Sequence, residues 1–195
     1  MTLCRPPGFA STLAVSLIIV SITAAGLRLM GRVWTCGCGD WAPWSGDTQS
    51  PHNSQHLLDP YSLTHLEHGV LLGLLLTALP RVKRWRPGPR WLTALSLEAL
   101  WELIENTPWV INRYRESTLA IGYFGDSVLN AVGDIASFGL GYLLTKPLGW
   151  RPCLALLLTI EGLLLWTIRD NLLLNVLMLF WPIDAVRQWQ TMGAN

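Results

Sequence analysis

The chain has 195 residues, enough for one domain, and is 51% hydrophobic but only 14% charged, against roughly 25% charged residues in a typical soluble domain. Mean hydropathy is +0.34. These values exclude an ordinary soluble domain, and a net charge of +1 excludes a field that would draw in nucleic acid. The 11 tryptophans fit a membrane protein, because Trp favours the membrane–water interface.

Residues 9–29 form the first apolar run, long enough to span a hydrocarbon core of about 30 Å. Arg5 ahead of it and Ala24-Ala25 near its end also resemble a secretory signal. The length favours an uncleaved helix, and both readings export the loop beyond it. Residues 31–61 are a polar loop with Trp34, Trp41 and Trp44, more aromatic than disordered segments are.

Four further apolar runs follow, at 62–80, 91–108, 123–145 and 152–168. Arg81, Lys83, Arg84, Arg86 and Arg90 separate the second from the third, as in a cytoplasmic loop obeying the positive-inside rule. A short loop with Arg113, Tyr114 and Arg115 separates the third from the fourth. The apolar patch 172–181 is too short to span and reads as an interfacial or re-entrant segment. The expectation is an all-α integral membrane bundle of about five transmembrane helices, a single domain over 1–195. An N-terminus inside places eight of the 14 basic residues in the cytoplasm and the 31–61 loop outside.

All four histidines fall within 52–68, at His52, His56, His65 and His68. His65 and His68 are three apart on one helical face. Glu98, Glu102 and Glu105 form a stripe in the third span, and Asp126, Asn130 and Asp134 form another in the fourth. Charged residues within spans are expensive and face the bundle interior. Counted from outer boundaries at Ser62, Pro108 and Tyr123, His65, Glu105 and Asp126 lie roughly 5 Å deep. On that count His68, Glu102 and Asn130 lie roughly 9–11 Å deep, and Glu98 and Asp134 near 15–17 Å. The three stripes are expected to line one polar cavity open to the periplasm.

Two imidazoles with carboxylates suit zinc or another divalent metal, with His65, His68, Glu105 and Asp126 as the expected ligands. Without metal, clustered carboxylates hold protons and suit acid–base work or proton relay. Glu102 and Asn130 are then supporting members of a catalytic set of His65, His68, Glu102, Glu105, Asp126 and Asn130. Arg113 and Arg115 at the mouth are expected to hold an anionic headgroup, or to pair with Glu116 or Asp126. Asp59-Pro60 reads as the start signal of the second span. Glu161 and Arg169-Asp170 are expected to close the cavity from a fourth side.

Cys4, Cys36, Cys38 and Cys153 do not make a disulfide framework, since Cys36 and Cys38 pair only with strain. Cys36 and Cys38 with His52 and His56 offer a second set of metal donors. Their spacing matches no closed zinc pattern, so the loop is read as a lid or mouth.

The stretches HNSQHLLDPYSLTHLEHG, EALWELIEN, NRYREST, YFGDSVLNAVGD and RDNLLLNVLMLFWPIDAVRQWQ resemble an uncharacterised bacterial family of multi-pass inner-membrane proteins. That resemblance implies a location in the inner membrane. The chain is also distantly similar to VanZ-like proteins. The counterparts are Asp59 and His65, Glu102 with Glu105-Asn106, and Arg115, Asp126, Asn130 and Gly133. Here the Asp-to-His spacing is longer, and Glu105 stands where that family has Gln. The expected partners are membrane lipids and a second copy of the chain. The leading functional expectation is action on a lipid-linked or amphiphilic envelope substrate. The rivals are an envelope assembly factor, whose polar groups hold the bundle together, and a small proton-coupled transporter.

Overall fold

A computed structural model describes residues 8–117 and 122–191; the expectations for Cys4 and Arg5 lie outside them. The described residues form eight α-helices and one 3-10 turn, with no strand beyond an isolated bridge between Trp44 and Leu58. The helices are α1 (Phe9–Leu29), α2 (Ser62–Ala78), α3 (Pro87–Glu105), α4 (Pro108–Ser117), α5 (Val128–Leu148), α6 (Trp150–Ile168), α7 (Leu172–Phe180) and α8 (Asp184–Thr191). Three of the five expected spans, α1, α5 and α6, are long and apolar enough to cross a membrane. The other two coincide with α2, of 17 residues, and α3, which carries the glutamate stripe.

Two boundaries differ from expectation in ways that matter for the site. α3 begins at Pro87, because prolines are tolerated in a first turn whose N–H groups have no intrahelical partner. It ends at Glu105, where the Asn106 amide still bonds back to the Glu102 carbonyl at 3.3 Å. α5 begins at Val128, with the Ser127 hydroxyl accepting from the Asn130 N–H at 3.1 Å. Two helices were not expected. The loop after residue 108 is the helix α4, opened by Thr107 ahead of Pro108, with the Ile111 N–H on the Thr107 carbonyl at 3.1 Å. The polar end of the chain is α8. It folds back on α6 through Arg169, whose guanidinium reaches the Trp189 carbonyl at 3.0 Å. Arg169 ends α6 in the left-handed conformation, at φ 53°.

The centre of the bundle is the pair α2 and α5, which run in the same direction. Ser62 meets Asp134 near one end, and Gly73 meets Thr145 near the other. Their backbones touch: a Cβ on Gly69 would collide with the Phe138 carbonyl oxygen, and one on Gly141 with that of Leu66. Small residues of this kind allow helices to close on one another. α1 and α3 also share a direction, since Gly88 approaches Thr12 and Gly26 approaches Leu103. The Trp91 indole donates to the Ser16 hydroxyl at 2.8 Å and joins this pair. Trp91, Phe138 and Tyr142 pack together where α3 meets α5.

The loop over 31–61 is irregular but tightly held. Its Val33 and Trp34 carbonyls accept from the Val128 and Leu129 N–H groups at 2.8 and 3.0 Å, and so satisfy the first turn of α5. Its Ser54 carbonyl accepts from the Ser127 N–H at 2.9 Å, and the Gln55 amide donates to the Gly125 carbonyl at 2.8 Å. The Arg32 guanidinium reaches the Phe124 carbonyl. These long-range bonds lay the loop across the end of the bundle where α2 and α5 begin and α3 finishes.

Candidate functional site

Asp59 organises that end. Its Oδ1 accepts from the Tyr61 and Ser62 N–H groups at 2.7 and 3.2 Å, the expected start of α2. Its Oδ2 accepts from the Ser54 N–H at 3.1 Å and the Asn130 amide at 3.3 Å. Burial and the nearby Asp126 charge push the Asp59 carboxyl above its ordinary value. The Ser62 hydroxyl donates to Asp134 at 2.6 Å.

His65 and His68 project from the next turn of α2 with ring centroids 5.1 Å apart. Glu98 lies between them. One of its oxygens is 2.7 Å from His65 Nδ1, and the other is 3.2 Å from His68 Nδ1. Glu102 is fully buried, with an oxygen 3.2 Å from His65 Nδ1. That contact is out of hydrogen-bond alignment, and both Glu102 oxygens lack a hydrogen-bond partner. A Glu105 oxygen is 3.9 Å from His65 Nε2.

The stripes thus meet at one end of the bundle, but the pairing is offset by one helical turn from expectation. The cause is the true end of α3. Counted from Ser62, Glu105 and Val128, His65 and Glu102 both lie about 4–5 Å from the helix end. His68, Glu98 and Asp134 lie about 9–11 Å from it. His65 and His68 therefore gather Glu98, which sequence counting put too deep. The donor groups that converge are His65, His68 and Glu98, and His65, Glu102 and Asp134, with one ligand atom of each within 4.8 Å of the others.

Asp126 and Asn130 are in the cluster in a different capacity. The Asn106 amide and the Tyr123 hydroxyl donate to the two oxygens of Asp126 at 2.6 and 2.9 Å. Its N–H donates to the Asn106 side-chain oxygen at 2.8 Å. Asn130 reaches Asp59 and has the Ser127 cap beside it. Arg113 donates to the Leu179 carbonyl at 2.8 Å and closes the end of α7. The Arg115 guanidinium lies over the Phe124 ring, 5.3 Å from its centroid. Asp59, His65, Glu102, Asp126 and Asn130 meet here, and Arg115 stands apart.

The cluster opens into a cavity of about 270 Å³. His65, His68, Glu105, Asp126 and Asp134 line one side. Leu172, Val176, Leu179 and Phe180 of α7 line another. The start of α7 is held by Asn171, which accepts from the Leu174 N–H at 2.9 Å, and by Glu161, which accepts from the Leu172 N–H at 2.9 Å. Tyr61 donates to Asp170 at 3.0 Å and ties α7 to the start of α2. Burial pushes the Asp170 carboxyl up to about 7. Glu161 and Asp170 do not line the cavity; they bear on it only by positioning α7, and Arg169 turns to the Trp189 carbonyl instead. The apolar run 172–181 held the signal for this wall, but nothing in it indicated where the wall would stand.

The family model described as "Protein of unknown function (DUF2585)" matches residues 27–192. A UPF0314 protein of Rhizobium meliloti (strain 1021) is 43% identical over 178 residues, covering 91% of this chain and 89% of its own length. One of Sphingopyxis alaskensis is 43% identical over 180 residues, covering 92% and 94%. One of Sinorhizobium fredii is 44% identical over 182 residues, covering 91% and 89%. No solved structure matches the chain. With the family model matching from α1 to the end of α8, and with relatives this similar over nearly their whole length, the chain belongs to the DUF2585 family of bacterial proteins.

Proposed function

We propose that this protein is a multi-pass protein of the bacterial inner membrane that performs acid–base chemistry on the polar head of a lipid-linked or amphiphilic envelope substrate. In this reading α1, α2, α3, α5 and α6 span the membrane, the N-terminus is cytoplasmic and the cavity opens to the periplasm. Large apolar residues on the outer faces of α1 and α6 support a lipid environment, among them Ile22 at 62% and Leu158 at 66% exposure. The basic residues Arg81–Arg90 lie at the opposite end of α2 from His65, as the positive-inside rule requires.

The observation that carries the chemistry is the buried contact between His65 and Glu98 at 2.7 Å. A carboxylate only accepts, so Nδ1 carries a proton, and Nε2, which faces Glu105, is the position at which a proton can be exchanged. Glu98 thereby orients His65 as a general base, and Glu105 can carry the proton onward. The cavity is small for a ligand pocket, which typically has roughly 300–1,000 Å³. It suits a headgroup beside the start of an acyl chain, with α7 as the apolar wall. Asn106 and Asn130 hold the site together by donating to Asp126 and Asp59.

Glu102 favours a second reading. A buried carboxylate with no hydrogen-bond partner is costly unless it meets a cation or holds a proton. His65, Glu102 and Asp134 would suit a divalent metal such as zinc, which would act as a Lewis acid. A deletion strain complemented with wild type, His65→Ala or Glu98→Gln tests the proposal by comparative lipid and envelope analysis. Both variants are expected to fold in normal yield and to leave the same altered lipid profile as the deletion. Full complementation by both would sink the acid–base reading; loss of folded yield in step with phenotype would favour an assembly role. Equal metal content in wild type and His65→Ala/His68→Ala would eliminate the metal reading.

A further inference from the structure

Four side chains outside the cavity converge in the 31–61 loop. One donor atom each from Cys36, Cys38, His52 and His56 lies within 4.8 Å of the others. Cys36 Sγ is 3.3 Å from His52 Nδ1, and the two imidazole centroids are 5.6 Å apart. The two cysteines are free thiols, and the bridging of residues this close in sequence is strained.

The surroundings of the four donors are those of a metal site. His56 is buried, with Nδ1 2.7 Å from the Ala42 carbonyl oxygen. A carbonyl can only accept, so Nδ1 carries the proton and Nε2 is left with its lone pair. This is how outer partners fix a ligating histidine. The Cys38 N–H donates to Cys36 Sγ at 3.4 Å, and the Asp40 N–H donates to Cys38 Sγ at 3.4 Å. Each sulfur thus accepts a backbone N–H, as the sulfurs of metal-bound cysteines do.

We propose that Cys36, Cys38, His52 and His56 bind one Zn²⁺ tetrahedrally through two thiolates and two imidazoles. Four protein donors leave no open position, so the site is structural. Binding displaces the proton of each thiol to solvent. The two histidines bracket Asn53 and Ser54, which line the cavity. The metal would therefore clamp the loop's contribution to the cavity wall, whatever chemistry occurs at His65.

The test uses full-length protein in mild detergent, reduced, stripped with chelator and titrated with Co²⁺ as the spectroscopic probe. Wild type is expected to bind one equivalent with a thiolate-to-cobalt charge-transfer band and intense visible bands of a tetrahedral ion. Those bands should survive in His65→Ala/His68→Ala and vanish in Cys36→Ser/Cys38→Ser. His52→Ala, which leaves both thiolates in place, should keep the charge-transfer band and change the visible pattern; it covers the case in which the double cysteine variant fails to fold. Zn²⁺ should quench the cobalt spectrum and protect the loop from limited proteolysis. Absence of the charge-transfer band in wild type, its persistence without both cysteines, or a Cys36–Cys38 disulfide in protein extracted under native conditions would overturn the proposal.

Discussion

Single residues in the polar cluster divide by whether their hydrogen bonds are satisfied. Asn106 donates to Asp126 and accepts from its N–H, so Asn106→Ala leaves buried groups orphaned. The expected loss is about 2–4 kcal/mol, read as a lower thermal midpoint. Glu102 is buried with neither oxygen bonded. Glu102→Met is therefore expected to raise the thermal midpoint while failing to restore the deletion strain, the trade-off of a residue kept for function. Asp170 gives a pH signature. Burial raises its folded value from 3.8 to about 7, with Glu161 adding to the shift and the Tyr61 and Asn171 donors opposing it. The folded protein thus holds this proton more tightly than the unfolded chain. Its contribution to stability is full below about pH 4, declines as pH rises to about 7 and is lost above that, a change on the order of a few kcal/mol. Asp170→Asn should flatten that decline in a series of thermal melts.

At the scale of helices, the contact between α2 and α5 leaves no room for a side chain. Gly69→Val would drive carbon atoms into the Phe138 carbonyl. The expected cost is about 3 kcal/mol or more. Gly162→Ala in α6, with open space around it, is expected to be neutral or slightly stabilising. Folded yield and melting of the two variants provide the comparison. Long elements were legible in the sequence, because α1 and α6 are long, mostly apolar runs. α4 and α8 were not, because Pro108 reads equally well as the end of one helix or the first turn of the next, and α8 is mostly polar. The stripes announced that His65, Glu102 and Asn130 share a side. They could not announce the pairing, which turns on a three-residue difference in where α3 ends. The convergence of Cys36, Cys38, His52 and His56 is set by an irregular loop held through distant backbone bonds, so no spacing rule reveals it.

For the molecule as a whole, helix directions and charge distribution agree. The directions shared within α1 and α3 and within α2 and α5 are those that the proposed membrane topology requires. Reporter fusions should distinguish the sides: alkaline phosphatase is expected to be active when joined within 31–61 and inactive when joined within 81–90. The reverse pattern would invert the orientation and turn the cavity to the cytoplasm.

The shared direction of α2 and α5 has an electrostatic consequence. Both helices begin at the carboxylate cluster, so both macrodipoles present their positive ends to it, each equivalent to roughly half a unit charge. α3 arrives there by its negative end. The backbone contribution to the field is thus positive on the side of Asp59 and Ser62 and negative behind Glu102 and Glu105. A ligand carrying separated charges would be turned by that gradient before it touched a side chain, its anionic group toward α2 and α5 and its cationic group toward α3.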